Sequence, residues 1–332
     1  MATGKHIYPH PKFPTKETVG LNLHETKNLK ATIYRGKGEI VEDTIIYKSD
    51  NPEIVSIDDQ GNVTAHKEGY TEITAYGRGK TARLGLEVFS VPRGIKGFTA
   101  HRGVRKLAPE NTMAAFKLAG EYGFDYIETD IQVTKDKKLV LFHDNTLKRM
   151  YGLADKHICD YTLDELKQLK LTGGNGLKTY PDEKIVTFEE YLAYMSTISS
   201  KPMIELKDPT LSNQNKDQLA VIKNMIDHYG LASKARVTSA ILDNIEAYEA
   251  INEESTLAYI VEDPAFDDLE LLQKHHFLFS IKYEAANKDF LQKVIDSGLE
   301  VDIWIINDKK TAKALLKWPI TSMTSDLVVF DH

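Results

Sequence analysis

The chain has 332 residues, with 42 lysines and arginines against 49 aspartates and glutamates, and a formal net charge of -7 at pH 7. That length exceeds one ordinary domain of roughly 100 to 200 residues, so a large fold plus a smaller module is expected. Both charge signs are scattered along the chain, which argues against nucleic acid or an anionic membrane surface as a partner, and no run approaches the ~20 apolar residues of a membrane span.

The opening MATGKHIYPHPKFPTKE has no apolar stretch of signal-peptide length and reads as a poorly structured leader of about 18 residues. From about Leu21 to Phe89 the runs LKATIYR, DTIIYKS, EIVSIDD, NVTAHK, TEITAYG and ARLGLEV alternate apolar and polar residues between turn-forming segments. That period of two predicts a small antiparallel β-sandwich. Ser90-Val91-Pro92-Arg93-Gly94 punctuates a change of period, dividing a sandwich over 1–92 from a second domain over 93–332.

Beyond that joint, strand-like runs alternate with helical ones such as QLAVIKNMIDHYG and NKDFLQKVIDSG. This pattern predicts a parallel sheet wrapped by helices. The strand candidates are FTAHRG, DYIETDI, KLVLFHD, KPMIELK, ARVTSA, TLAYIVE, FLFSIKY, VDIWIIN and TSMTSDL, one more than a (β/α)8 barrel holds. The surplus resolves if DYIETDIQV and KLVLFHD form a hairpin across Thr134-Lys135-Asp136-Lys137, because parallel neighbours need a crossover of a dozen or more residues. The expected fold is therefore a (β/α)8 TIM barrel with a hairpin excursion after its second strand.

Polar residues recur at strand C-termini, the face where such barrels place their sites. His101 and Arg102 follow the first strand, Glu128 and Asp130 share one face of the second, and Glu205 and Lys207 end the third. Three carboxylates packed together repel unless a cation compensates, and hard oxygen ligands suit one divalent ion, Ca²⁺ or Mg²⁺. The hairpin is expected to set His143 opposite the Glu128–Asp130 stretch, so that two imidazoles border the cluster. Such a pair can take and give a proton near neutrality, while Arg102 offers a fork and Lys207 a point charge to a phosphate. Taken singly, each of these residues has an ordinary structural explanation. His228 and His275-His276 read as helix residues, Glu262-Asp263 as a helix cap, and the lone Cys159 as a buried small hydrophobe. Pro109 and Glu110 read as the opening of the first outer helix.

Six motifs in order, AHRG (100–103), PENTMAAF (109–116), IETDIQVTKDKKLVLFHDNTLKR (127–149), MIELKD (203–208), VDIWIIND (301–308) and MTSD (323–326), resemble the glycerophosphodiester phosphodiesterases. The resemblance implies a metal-dependent phosphodiesterase that releases glycerol phosphate and an alcohol through a cyclic phosphate. It implies His101 and His143 as the acid/base pair, Glu128, Asp130 and Glu205 as metal ligands, Arg102 and Lys207 as phosphate contacts, and Trp304 as an aromatic beside the substrate glycerol. Ser322–Asp326 and Trp304-Ile305-Ile306-Asn307 depart from the family pattern and are expected to affect only the rim of the pocket. Residues 46–77 resemble a bacterial immunoglobulin-like module, with Tyr47 where tryptophan is frequent. That module implies an extracellular, cell-surface or virion-associated setting with cell-wall contact. It raises poly(glycerol phosphate) teichoic acid as an alternative substrate to a small glycerophosphodiester. A non-catalytic barrel that only grips a phosphodiester is the rival from another class, and none of the five acid/base and metal positions is missing as that reading would expect. No amphipathic segment supports action on a bilayer.

Overall fold

The structure, a computed structural model, describes residues 10–13, 18–35, 39–67, 69–89 and 97–327. The chain divides into two compact units whose boundary falls between Ser90 and Val91. The predicted joint at residues 90–94 lies outside the described residues, as do positions 1–9 and 14–17 of the predicted leader.

The first unit is built from β1 (His10–Lys12), β2 (Val19–Asn22), β3 (Thr26–Asn28), β4 (Thr32–Arg35), β5 (Glu39–Val41), β6 (Ile46–Ser49), β7 (Val55–Ile57), β8 (Asn62–Ala65), β9 (Gly69–Gly77) and β10 (Lys80–Phe89). They form small sheets ordered β1-β4-β5, β2-β10-β9-β6 and β3-β8-β7. Pairing is antiparallel except between β10 and β2. Alternation supplies the core: Val63 and Ala65, Ile73 and Ala75, and Leu84, Leu86 and Val88 are buried on one face of their strands. Tyr47 packs against this core while its hydroxyl accepts from the Ala31 amide at 2.9 Å, so the half-buried ring keeps a polar partner. Within the leader, His10–Lys12 is not unstructured; it pairs antiparallel with β4.

The second unit is a closed barrel. Its parallel strands are β11 (Gly97–Ala100), β12 (Tyr126–Val133), β14 (Lys201–Leu206), β15 (Arg236–Ser239), β16 (Thr256–Val261), β17 (Leu278–Lys282), β18 (Val301–Trp304) and β19 (Ser322–Ser325). Neighbours pair in chain order, and β11 closes the ring by pairing with both β12 and β19. The ninth strand, β13 (Leu139–Leu141), lies antiparallel beside β12, so the surplus run is the hairpin arm and takes no place in the barrel. Outer helices include α1 (Met113–Glu121), α4 (Phe188–Met195), α5 (Lys216–His228) and α8 (Lys288–Asp296), between which lie two short ones, α2 (Lys148–Tyr151) and α3 (Leu163–Gln168), and then α6 (Leu242–Glu249) and α7 (Leu269–His275). Each long helix buries one stripe; in α5 it is Leu219, Ile222 and Ile226. Tyr191 of α4 shows how helix meets strand: its ring packs edge-on to Phe116 and its hydroxyl donates to the Ile127 carbonyl at 2.6 Å. No described helix is long and apolar enough to cross a membrane.

Three local expectations fail. Helix α1 starts at Met113 with Thr112 as its cap, its hydroxyl accepting from the Ala115 amide, so Pro109 and Glu110 precede the helix and Glu110 is free for another task. Glu262-Asp263 caps no helix: Asp263 accepts from Ala265 in a loop, Asp268 caps α7, and Glu262 is exposed. Cys159 is exposed; in its short turn Ile158 takes the buried position.

Candidate active site

The strand ends of the barrel open into a cleft of about 240 Å³. His101, Arg102, Glu128, His143, Glu205, Lys207 and Trp304 all line it. Asp130, the eighth residue singled out from sequence, is fully buried beside them. Its carboxylate lies with those of Glu128 and Glu205, their ligand atoms within 4.8 Å of one another.

Arg102 and Gly103 shape the first strand's exit. Arg102 takes a left-handed φ of 55°, which a non-glycine residue adopts only at a cost, and its backbone N–H then donates to Glu128 Oε2 at 2.8 Å. Gly103 follows at φ 72°, and a Cβ there would sit 2.6 Å from the Ala115 carbonyl carbon, so the turn requires glycine twice over. The Arg102 guanidinium meets Glu110 at 2.9 Å and Asp130 at 3.5 Å. Asn111, also left-handed at φ 54°, accepts from Thr129 Oγ1 and donates from Nδ2 to Asp130 Oδ2, both at 2.8 Å, fixing that carboxylate.

The hairpin brings His143 level with the Glu128–Asp130 stretch as expected, but the register does not put it on the carboxylates' face. Pairing ends at Ile131 with Leu141; extended by two residues it would set His143 opposite Thr129, whose side chain lies on the other face from Glu128 and Asp130. The Phe142 N–H still donates to the Asp130 carbonyl at 2.9 Å, the Gln132 amide donates to the carbonyls of Phe142 and Asp144 at 2.9 Å each, and His143, one residue past that last ladder bond, lines the cleft.

Each histidine is held by its own aspartate. His101 Nδ1 bonds Asp326 Oδ1 at 2.8 Å, and Asp326 in turn accepts from Asn307 Nδ2 at 2.8 Å and lies 3.4 Å from Arg105. His143 Nδ1 bonds Asp144 Oδ1 at 2.8 Å, and Arg149 donates to both oxygens of Asp144 at 2.7 and 2.8 Å. Arg149 also clamps Glu110 through two donors at 2.6 and 2.8 Å. With Nδ1 committed, Nε2 is the nitrogen left to each ring for proton transfer. The two departing segments therefore do more than shape the rim, because Asp326 bonds the His101 ring and Asn307 bonds Asp326.

Burial pushes the His101 imidazole down to about 4, with the nearby arginines adding to it and Asp326 opposing it. Burial and the neighbouring carboxylates raise Glu128 well above the ordinary range and Glu205 to about 7. Burial alone would raise Asp130 too, but the charges of Arg102, His143 and Lys207 outweigh it and hold that group low. Lys207 Nζ donates to Glu205 Oε1 at 3.0 Å.

A cation fits the trio of Glu128, Asp130 and Glu205 on an observation independent of charge: Asp130 Oδ1 is buried with no hydrogen-bond partner among the described residues. Glu110, His143 and Asp144 also cluster closely, but Arg102 and Arg149 already occupy that carboxylate pair and leave no charge to neutralise.

Sequence reading missed Glu110, Asn111, Asp144, Arg149, Asn307 and Asp326. Asp144 carried a signal, since it directly follows His143. Asp326 carried none that spacing could show, because it lies 225 residues from the ring it holds.

Residues 101–329 match the Glycerophosphoryl diester phosphodiesterase family, and residues 15–81 match the bacterial Ig-like domain (group 2). The glycerophosphodiester phosphodiesterase of Caldanaerobacter subterraneus subsp. tengcongensis is 27% identical over 238 residues, covering 68% of this chain and 92% of that protein. That of Bacillus altitudinis is 27% identical over 237 residues, with 68% and 93% covered. Among solved structures, an Oleispira antarctica phosphodiesterase in complex with the product sn-glycerol-3-phosphate superposes with a TM-score of 0.63 at 26% identity, covering 70% of this chain and 93% of that one. On the barrel, its motifs and these matches together, the chain belongs to the glycerophosphoryl diester phosphodiesterase family, with an N-terminal bacterial Ig-like domain.

Proposed function

We propose that the cleft hydrolyses glycerophosphodiesters to glycerol phosphate and an alcohol, with His101 and His143 exchanging the protons. The observation that carries this reading is the pair of imidazoles, each fixed through Nδ1 by its own aspartate, in one cleft with a three-carboxylate cluster. Its finer steps follow from which protons must move. His101, kept neutral by burial, accepts the proton of the glycerol 2-hydroxyl through Nε2 as that oxygen attacks phosphorus. His143, on the more exposed side of the cleft, gives its Nε2 proton to the departing alcohol oxygen. In the second step His143 takes a proton from water as it opens the cyclic phosphate, and His101 returns its proton to the 2-oxygen. Both rings end as they began.

Arg102 and Lys207 stabilise charge on the phosphoryl oxygens. Glu128, Asp130 and Glu205 would hold one divalent cation, Ca²⁺ or Mg²⁺ by its oxygen ligands, which when bound supplies further positive charge to the phosphoryl group. Trp304 supplies an apolar wall for the glycerol. The Ig-like domain supports a surface setting, and with it poly(glycerol phosphate) as a second substrate class.

The test is release of glycerol phosphate from glycerophosphocholine, glycerophosphoethanolamine and purified poly(glycerol phosphate), with and without chelator. Turnover of the small diesters that chelator abolishes and added Ca²⁺ or Mg²⁺ restores is expected. Turnover unaffected by chelator would remove the cation from this account, and none on any substrate would sink the reading.

A further inference from the structure

The proton transfers above give Glu110 no task, yet its side chain is buried, 6% exposed. Burial alone would raise its carboxyl, but the guanidinium groups of Arg149, Arg102 and Arg105 outweigh that and hold it below the ordinary range. All three reach it. Arg102 donates to Oε1 at 2.9 Å, Arg149 to Oε1 and Oε2 at 2.6 and 2.8 Å, and Arg105 lies 3.7 Å from Oε2.

Each arginine then continues to a different part of the cleft. Arg149 grips both oxygens of Asp144, which holds His143. Arg105 lies 3.4 Å from Asp326, which holds His101. Arg102 is the fork that faces the phosphate. From one histidine's aspartate to the other's the charges alternate: Asp144, Arg149, Glu110, Arg105, Asp326. Without the central negative charge, three guanidinium groups would crowd a buried space where their repulsion is weakly screened.

Glu110 is itself tied down. The Asn111 N–H donates to the Arg102 carbonyl at 3.1 Å, and Thr112 Oγ1 donates to the Pro109 carbonyl at 2.6 Å. His143, by contrast, lies one residue past the last ladder bond of its hairpin, so its ring takes its place from side-chain contacts. A carboxylate placed only for stability needs one partner, whereas this one reaches the groups that hold both rings.

We propose, on the reading of the cleft as a glycerophosphodiester hydrolase, that Glu110 is a positioning residue shared by the two acid/base pairs. Through Arg149 it holds Asp144, and through Arg105 it holds Asp326, so one buried carboxylate orients both imidazoles. It acts through other side chains and not on the substrate.

The experiment follows a single turnover of the full chain, so that opening of the cyclic phosphate does not limit the signal. Two diesters are compared: glycerophosphocholine, whose alkoxide needs a proton to leave, and the p-nitrophenyl ester of glycerol 3-phosphate, whose phenolate does not. Glu110→Gln should slow the choline diester by about 10- to 100-fold, and the nitrophenyl diester by at least about threefold less, because only the His101 branch then matters. Equal losses would mark general loosening and overturn the proposal. Added to Asp144→Asn or to Asp326→Asn, Glu110→Gln should cost at least about threefold less than in the wild type, since part of its effect is already gone. Losses that multiply in either background overturn the shared role.

If Glu110→Gln does not fold, Arg149→Gln, at a side chain 42% exposed, removes the His143 branch alone. It should slow the choline diester by about fivefold and the nitrophenyl diester by under about twofold, and equal losses again overturn the proposal. If the wild type hydrolyses neither diester, the hydrolase reading fails, and the rings themselves still decide the positioning role. The imidazole ¹⁵N signals of His101 and His143 should both move in Glu110→Gln, and an unmoved signal from either ring sinks it.

Discussion

The two sides of the cleft are built on one plan with different burial. On the β11–β19 side, His101 is bound to Asp326, with Asn307 and Arg105 behind it, and the ring and carboxylate are about a tenth exposed. On the hairpin side, His143 is bound to Asp144, with Arg149 behind it, and the same groups are 28% and 23% exposed. The first pair is made at the ends of barrel strands; the second by the end of the hairpin arm, just past its last ladder bond. The same aspartate-to-Nδ1 bond thus sits in two different surroundings, and on the first side burial pushes the ring down to about 4.

If the two rings divide the proton work, removing either is the most damaging change available. His101→Ala and His143→Ala should each lower kcat for glycerophosphocholine by roughly 10²- to 10⁴-fold. Retention of wild-type turnover by either variant would remove that ring from the reaction.

The difference in burial is itself measurable. The His101 imidazole falls from its ordinary 6.5 to about 4 on folding, so between those values the unfolded chain binds the extra proton. Its contribution to stability is fully present above pH 6.5 and is lost as pH falls toward 4, by an amount on the order of 3 kcal/mol. The two tryptophans, Trp304 and Trp318, both lie in the barrel unit, so their fluorescence follows that unit's unfolding. Denaturation of wild type and His101→Gln from pH 7 to pH 4 should show the wild type losing stability relative to the variant. A gap that does not change with pH contradicts the buried neutral ring.

The aspartates give a smaller contrast. Asp326→Asn should reduce kcat by about 10- to 100-fold, because a buried ring has no water to replace its anchor. Asp144→Asn, nearer solvent and backed by Arg149, should cost less than about tenfold. Equal losses would mean that burial does not separate the two sides.

How much of this was legible in the sequence follows from the distance over which each feature is specified. Seven of the nine barrel-unit strands lie within their predicted windows, while β11 starts one residue early at Gly97 and β12 runs two residues past DYIETDI to Val133; they were legible because short strand-like runs alternate with helical ones along the unit. Residues at strand ends were legible because the fold dictates which end is open. The start of α1 was misread because Pro109 and Glu110 imitate a helix opening, while the hydrogen bond that starts the helix belongs to Thr112. Glu110 instead meets the guanidinium groups of Arg102 and Arg149. The His101–Asp326 bond joins the ends of different strands, and no local pattern announces a side chain satisfied across a barrel.

The central claim, that His101 and His143 act as one acid/base unit, is tested most directly by a double-mutant cycle on glycerophosphocholine hydrolysis. The account predicts that the double alanine variant loses little more kcat than the worse single variant, since one ring without the other has no complete proton path. Independent losses that multiply in the double variant would contradict it.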